Sequence, residues 1–287
     1  MPTPNPHEIP GRVTSINGHG GLPALRVESA WSVAEIYPHG AHVTGFQKTG
    51  EAPLLFLSQE SGFRAGQPIR GGVPVIFPWF GPRAGHPAHG FARVTDWDLV
   101  QSLVLPDGSI RLHFRLPSNE PWVVDYLITV GPALTLELAV TNTGTAAFSC
   151  ENCLHTYFQV GDVRQTAVTG LLGARCLDLL LATEGAETEA TLRIAGEVDR
   201  TYQDTGATVE IHDPVLRRTI QVCKSGSQST VVWNPWIAKS QRLPDFGDDE
   251  YLHMLCVESG NLGDHALTLA PGQRSVLKVE LSSVTQG

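Results

Sequence analysis

No run of apolar residues in this chain is long enough to span a bilayer, and no basic segment followed by an apolar core opens it at "MPTPNPHEIPGRV". A secreted or membrane-anchored protein is therefore not expected, and the cytoplasm is the default compartment. Cysteine is sparse and odd in number: Cys150, Cys153, Cys176, Cys223 and Cys256, all in apolar surroundings. A disulfide scaffold is not expected on that count. Cys150 and Cys153 form one C-x-x-C that runs into a strand pattern, with no second pair at zinc spacing, so these read as buried thiols. Positive charge is short as well. The net charge of -9 argues against nucleic acid, whose phosphates demand a basic footprint.

Several motifs are missing too. No G-x-G-x-x-G opens a helix, and there is no Walker loop or G-x-S-x-G elbow, so nucleotide binding and serine-hydrolase chemistry are poor fits. H-E-x-x-H and a strand-borne H-x-H are absent. The two H-x-x-H pairs, His39/His42 and His86/His89, fall on loop-like segments and read more simply as hydrogen-bonded or surface histidines. No metal and no cofactor are expected. Helical periodicity is scarce, with one turn suggested at the start of "GDDEYLHMLCVE".

What is present is strand after strand. "LPALRVES", "WSVAEIYP", "APLLFLS" and "VPVIFPWF" are short and rich in apolar and β-branched residues. Two hairpins follow, turning at Pro106-Asp107-Gly108 and near Gly131-Pro132. "TLRIAGEVDRTY", "ATVEIHD", "RTIQVCK", "STVVWNP" and "QRSVLKVELSSV" continue the pattern. With 41% hydrophobic residues and 17% charged, the chain can bury a large core. Such spacing predicts an all-β fold, a large antiparallel β-sandwich or barrel, as one domain over residues 1–287.

Some segments do not fit a purely structural pattern. Between Glu60 and Asp96 there is no acidic residue and no lysine, yet Arg64, Arg70, Arg83 and Arg93 fall there. Either they pair with acids from elsewhere in the fold, or they bind a small anion. "IRGGVPVIFPWFGPR" and "HGFARVTDW" interleave Trp79, Phe80 and Phe91 with Arg83, His89 and Arg93. This is either a packed irregular loop or a surface suited to a sugar. "ENCLHTYFQVGD" has a strand's alternation, with Leu154, Thr156, Phe158 and Val160 on one side and Cys153, His155, Tyr157 and Gln159 on the other. "VVWNPWIAKSQRLPDFG" places Asn234, Trp236 and Lys239 after an apolar strand. "MLCVESGN" runs an apolar strand straight into Glu258; taken alone, a strand-end glutamate usually faces water.

Taken in order, "IRGGVPVIFPWFGPR…HGFAR", "LHTYF", "YQDT", "VVWNPW…K…DF" and "CVESGN" resemble the aldose 1-epimerase family, in its glucose-6-phosphate 1-epimerase branch, over roughly residues 20 to 280. The resemblance implies a galactose-mutarotase-type β-sandwich with its site on a concave sheet face. It implies His155 as general acid and Glu258 as general base, with Arg70, His89, Arg93 and Asp204 binding substrate. The implied reaction interconverts the α and β anomers of a hexose 6-phosphate, with no metal and no redox cofactor. Lys239 is a weaker candidate for the phosphate. The family often has proline where this chain has Ser259, a departure in the loop after the base. Cys153, Tyr157 and Gln159 are then expected to flank the site. The only expected partner is a small-molecule sugar phosphate, with no nucleic acid and no membrane, and the chain is expected to act as a monomer. A sugar-binding module without catalysis and an epimerase of unphosphorylated aldoses are the competing readings.

Overall fold

Strict alternation is the main structural instruction in this chain. Along Trp122–Val130 every second residue is buried, and the facing strand Leu134–Asn142 repeats the pattern with one further buried residue, Ala139. Each buried Leu, Ile, Val or Phe is worth about 1.5–3 kcal/mol relative to exposure. A one-residue slip of register would turn that whole set to the other face. The computed structural model describes residues 7–285. The expectation about the first six residues lies outside that range.

The strand pairings among the described residues are antiparallel and form three main sheets and one two-stranded ribbon, Phe148–Cys150 with Leu267–Leu269. The nine-stranded sheet runs from Thr191–Arg193 through Arg274–Thr285 to the hairpins Leu134–Asn142/Trp122–Val130 and Ile110–Arg115/Asp98–Val104. The eight-stranded sheet lies against it. Its order is Thr183–Ala186, Arg175–Asp178, Val198–Gln203, Ser229–Asn234, Met254–Asn261, Asn152–Leu154 and Val75–Ile76, with Tyr157–Gln159 also pairing to Met254–Asn261. A four-stranded meander over residues 13–48 covers one flank. Leu112, Phe114, Leu136 and Leu138 from one large sheet, with Phe77, Phe158, Leu255 and Val257 from the other, belong to a single core. The all-β sandwich expected from the strand spacing is what the chain forms. Among the described residues no helix is long and apolar enough to cross a membrane.

Two expected strands are largely irregular. "APLLFLS" contributes only isolated bridges at Leu55 and Leu57, and "VPVIFPWF" only the pair Val75–Ile76 with isolated bridges at Val73 and Phe77. The cause is close backbone packing. Gly72, at φ 60°, sits so near the neighbouring strand that an added Cβ would lie 2.2 Å from the Val43 carbonyl oxygen. At Gly90, φ 72°, the same atom would lie 2.0 Å from the Phe77 oxygen. Only glycine combines that approach with that backbone conformation. These two residues follow Arg70 and His89 and turn the chain so that both side chains face one cleft.

Gly72→Ala is expected to cost about 2–5 kcal/mol, the sum of a left-handed backbone penalty and overpacking. Gly50→Ala, at φ 80° with nothing within 4 Å of the added carbon, should cost only the backbone part of about 1–2 kcal/mol. Urea denaturation of the two variants checks the difference.

Candidate active site

The strand Met254–Asn261 is buried at all eight positions. A strand covered on both faces has no solvent-facing side on which to place a charge. Glu258 nevertheless stands in the middle of it, 1% exposed. Its alternation puts Cys256 and Glu258 on the face turned away from the sandwich core. Register then collects the other groups. Asp199 opposes Trp233, Trp233 opposes Cys256, and Cys256 opposes Tyr157, a single row across four strands.

The "LHTYF" segment is not one continuous strand. It pairs with Met254–Asn261 at Asn152–Leu154 and again at Tyr157–Gln159, with a break at His155 and Thr156. Both halves keep the same register, so His155 falls opposite Glu258. His155 Nδ1 lies 3.3 Å from Glu258 Oε1, but out of line for a hydrogen bond, and so Nδ1 is left without a partner. Its ring stacks on Tyr157, with centroids 4.8 Å apart and planes within 8°. Of the residues expected to flank the site, Cys153 and Tyr157 do so. Gln159 does not: its side-chain amide reaches the Val160 carbonyl beyond the cavity.

These groups floor a cavity of about 380 Å³. Arg70, His89 and Arg93 line its walls together with Phe80, Leu179, Trp233 and Lys239. Two surface hollows of about 570 and 660 Å³ are larger, but neither contains the buried His155–Glu258 pair. Among the four arginines of the acid-free segment, only Arg70 and Arg93 reach this cavity. Arg83 stacks on Trp79, 4.7 Å from the ring centre, and Arg64 lines the hollows instead. Arg70 has found an acid from far along the chain. It makes a two-pronged contact with Asp245, at 3.2 and 3.1 Å, and donates to the Tyr157 hydroxyl at 3.0 Å. Arg93 has none. It donates to the Ala88 carbonyl, its Nε is buried without a partner, and no ion pair joins it among the described residues.

Asp204 is placed elsewhere. Its carboxylate accepts from Arg175 and His265 at 3.0 and 2.8 Å on the exposed rim, and it does not line the cavity. Asp199 occupies the cavity wall instead. The two lie five residues apart along the strand Val198–Gln203 and the residue that follows it, about 16 Å at strand rise. The signal for Asp199 was there to be read, since aspartate is disfavoured inside a strand. Lys239 also lines the cavity, held by Glu197 at 3.0 Å and Asp199 at 3.5 Å. Asn234 orients the helical turn that carries it, donating to the Tyr251 and Met254 carbonyls and accepting from Trp236 N–H.

Burial dominates the electrostatics. It pushes the Glu258 carboxyl well above the ordinary range, helped by Asp199 and opposed by Cys153 and Arg93. It also holds His155 well below the ordinary imidazole range, reinforced by His89, Arg93 and Arg70. Burial thus disfavours the charged form of both groups. Moving one proton gives imidazolium and carboxylate, an acid and a base both stronger than in water. His155, Cys256 and Glu258 also offer three metal-ligating atoms within 4.8 Å of one another, the only such group among the described residues. Arg93 and Arg70 press positive charge on the same groups and oppose a cation. Neither H-x-x-H pair joins it: His39 binds Asp96 and the Gln67 carbonyl, and His42 donates to the Gly71 carbonyl.

The model of the aldose 1-epimerase family matches residues 24–282. The chain belongs to that family, whose members are isomerases. A Salmonella typhimurium protein named as a candidate glucose-6-phosphate 1-epimerase is 37% identical over 231 residues, covering 77% of this chain and 76% of that one. A protein of Cenchrus ciliaris named in the same way is 35% identical over 268 residues, covering 88% and 81%. The crystal structure of a candidate mutarotase from Salmonella typhimurium superposes with a TM-score of 0.89 at 30% identity, covering 98% of this chain and 96% of that one. Of the residues in the motifs quoted above, Arg70, His89, Arg93, His155, Lys239 and Glu258 line the cavity, and Asp204 does not.

Burial depresses His42 and His89 to about 3. In the folded state both stay neutral while the unfolded chain takes up protons below about 6.5. Their stabilisation is present above that pH and is lost as pH falls towards 3, by up to about 1.4 kcal/mol per pH unit for each histidine. Denaturation free energies measured between pH 6 and pH 4 should fall less steeply for His89→Gln than for the wild type, by about that slope.

Proposed function

We propose that this protein interconverts the α and β anomers of a hexose 6-phosphate, with glucose 6-phosphate as the favoured substrate. The observation that carries the reading is the buried His155–Glu258 pair facing a cavity that also holds Arg93, which has no carboxylate partner among the described residues. The names of the relatives support the phosphorylated sugar.

The chemistry follows from the proton count. Glu258 as carboxylate takes the proton of the anomeric hydroxyl while His155 as imidazolium gives one to the ring oxygen. The C1–O5 bond breaks, its electron pair leaves with O5, and the open-chain aldehyde forms. That step leaves Glu258 protonated and His155 neutral, the state that burial favours. Rotation about C1–C2 presents the other face of the aldehyde, and the same proton transfers run backwards to close the ring.

A 6-phosphate carries nearly two negative charges and needs fixed donors. Arg93 suits it best, since its guanidinium is desolvated and has no acidic partner among the described residues. Arg70 is already anchored by Asp245 and Tyr157, so it presents a rigid edge to the sugar. Asp199 and Lys239 lie where ring hydroxyls would be met, and Trp233 offers an aromatic face to the C–H side of a pyranose.

Exchange NMR on glucose 6-phosphate and glucose, run side by side, tests the proposal. The wild type should accelerate anomer exchange of the phosphorylated sugar above that of glucose. His155→Ala and Glu258→Gln should each lower the rate about 10²- to 10⁴-fold while remaining folded by circular dichroism. Arg93→Ala should act on the phosphate-bearing sugar far more than on glucose, and Asp204→Ala should change neither. A near-wild-type rate in either pair variant removes that residue from the mechanism. Binding without any acceleration would leave a sugar-binding module, and equal rates on both sugars an aldose epimerase.

A further inference from the structure

Glu258 accepts a single side-chain hydrogen bond among the described residues, and the donor is a thiol. Cys153 Sγ lies 3.6 Å from Glu258 Oε2, while Oε1 faces His155. Cys153 is fully buried. On the paired strand it opposes Gly260, where an added Cβ would lie 3.0 Å from the sulfur. The space above Gly260 is filled by this thiol. A buried carboxylate of ordinary function accepts two or three N–H bonds, which stabilise its charge and make it a poor base. A thiol is a weak donor.

We infer that Cys153 is a positioning residue, whose S–H holds Oε2 of Glu258 so that Oε1 is turned to His155 and the cavity, with support too weak to cost the carboxylate its basicity. The inference rests on the role of Glu258 proposed above. The groups facing that carboxylate come from several elements: Cys153, His155 and Tyr157 from the broken strand, Cys256 from its own strand, Asp199 from the strand beyond Trp233, and Arg93 from the 3₁₀ turn Ala92–Val94. Lys224, which faces Cys153 from the sandwich side, is drawn to about 8 by burial and spends its protons on Ser227, Ser229 and Thr230. Of these neighbours Cys153 alone donates to the carboxylate. Its bond favours the charged form, against the burial and Asp199 that oppose it.

The test is the pH dependence of anomer exchange on glucose 6-phosphate. The acidic limb of kcat/KM reports the base of the free enzyme. Cys153→Ala should move that limb to higher pH by about half to one unit, the worth of one net hydrogen bond. Cys153→Ser, which restores a donor, should return the limb to the wild-type position or below it. A thiol that merely filled space would lower the rate without moving the limb. A Cys153→Ala limb superimposed on the wild type, or a Cys153→Ser limb displaced upward as far as the alanine variant, overturns the inference. A second readout needs no variant and no activity. In the pH-difference infrared spectrum of the wild type, an S–H stretching band should move to lower frequency as the Glu258 carboxyl band disappears. An S–H region that stays fixed through that titration also overturns the inference. A wild type without catalysis would defeat the proposed function alone, and the infrared readout would still decide whether Cys153 bonds Glu258.

Discussion

A buried imidazole held against a buried carboxyl governs the rest of the cavity, because neither group can ionise there independently of the other. At Met254–Asn261 both sides of the backbone are covered, and His155, at the break of the neighbouring strand, lies 3.3 Å from Glu258. Much of the architecture around the pair limits its contact with water while leaving one side open to the cavity. The strand break at His155 matters in the same way. It frees the ring from the ladder without losing register, so that a side chain lies directly opposite its partner.

The surrounding charges are arranged so that they do not neutralise the pair. Arg70 is occupied by Asp245, Lys239 by Glu197 and Asp199, and Arg175 by Asp204 at the rim. Arg93 alone among the cavity cations lacks an acidic partner among the described residues. A desolvated guanidinium in that condition is an incomplete interaction, and a phosphate is the kind of group that completes it. Backbone geometry serves the same end. The left-handed turns at Gly72 and His89–Gly90 bend irregular loops over the sheet where a regular strand would have pointed these side chains elsewhere.

Local pattern made a good part of this legible. The hairpins at Pro106-Asp107-Gly108 and Gly131-Pro132 fall where turn chemistry put them, and the helical turn before Met254 is a short 3₁₀ segment at Glu250–His253. The alternation in "LHTYF" was read as one strand because its side chains alternate in kind. All of Asn152–Phe158 is buried, so exposure does not alternate there, and the break at His155 left no mark in the pattern. Asp204 was drawn from a motif, while Asp199 lay five residues before it without one. Both belong to a chain segment of the same character, and only the strand's direction decides which end meets the cavity.

Composition, alternation and turn chemistry therefore determined the fold class, because those are properties of neighbouring residues, while the roles of His155, Glu258 and the arginines were implied by the ordered motifs and their family resemblance. Tertiary structure decided which of them meet. Glu258 and His155 are about a hundred positions apart, Arg70 and Asp245 nearly twice that, and Cys153 reaches Glu258 only through antiparallel register. Whether an arginine is free or spent, and whether a carboxyl holds its proton, depends on which distant strand is brought beside it and how much water is left between them.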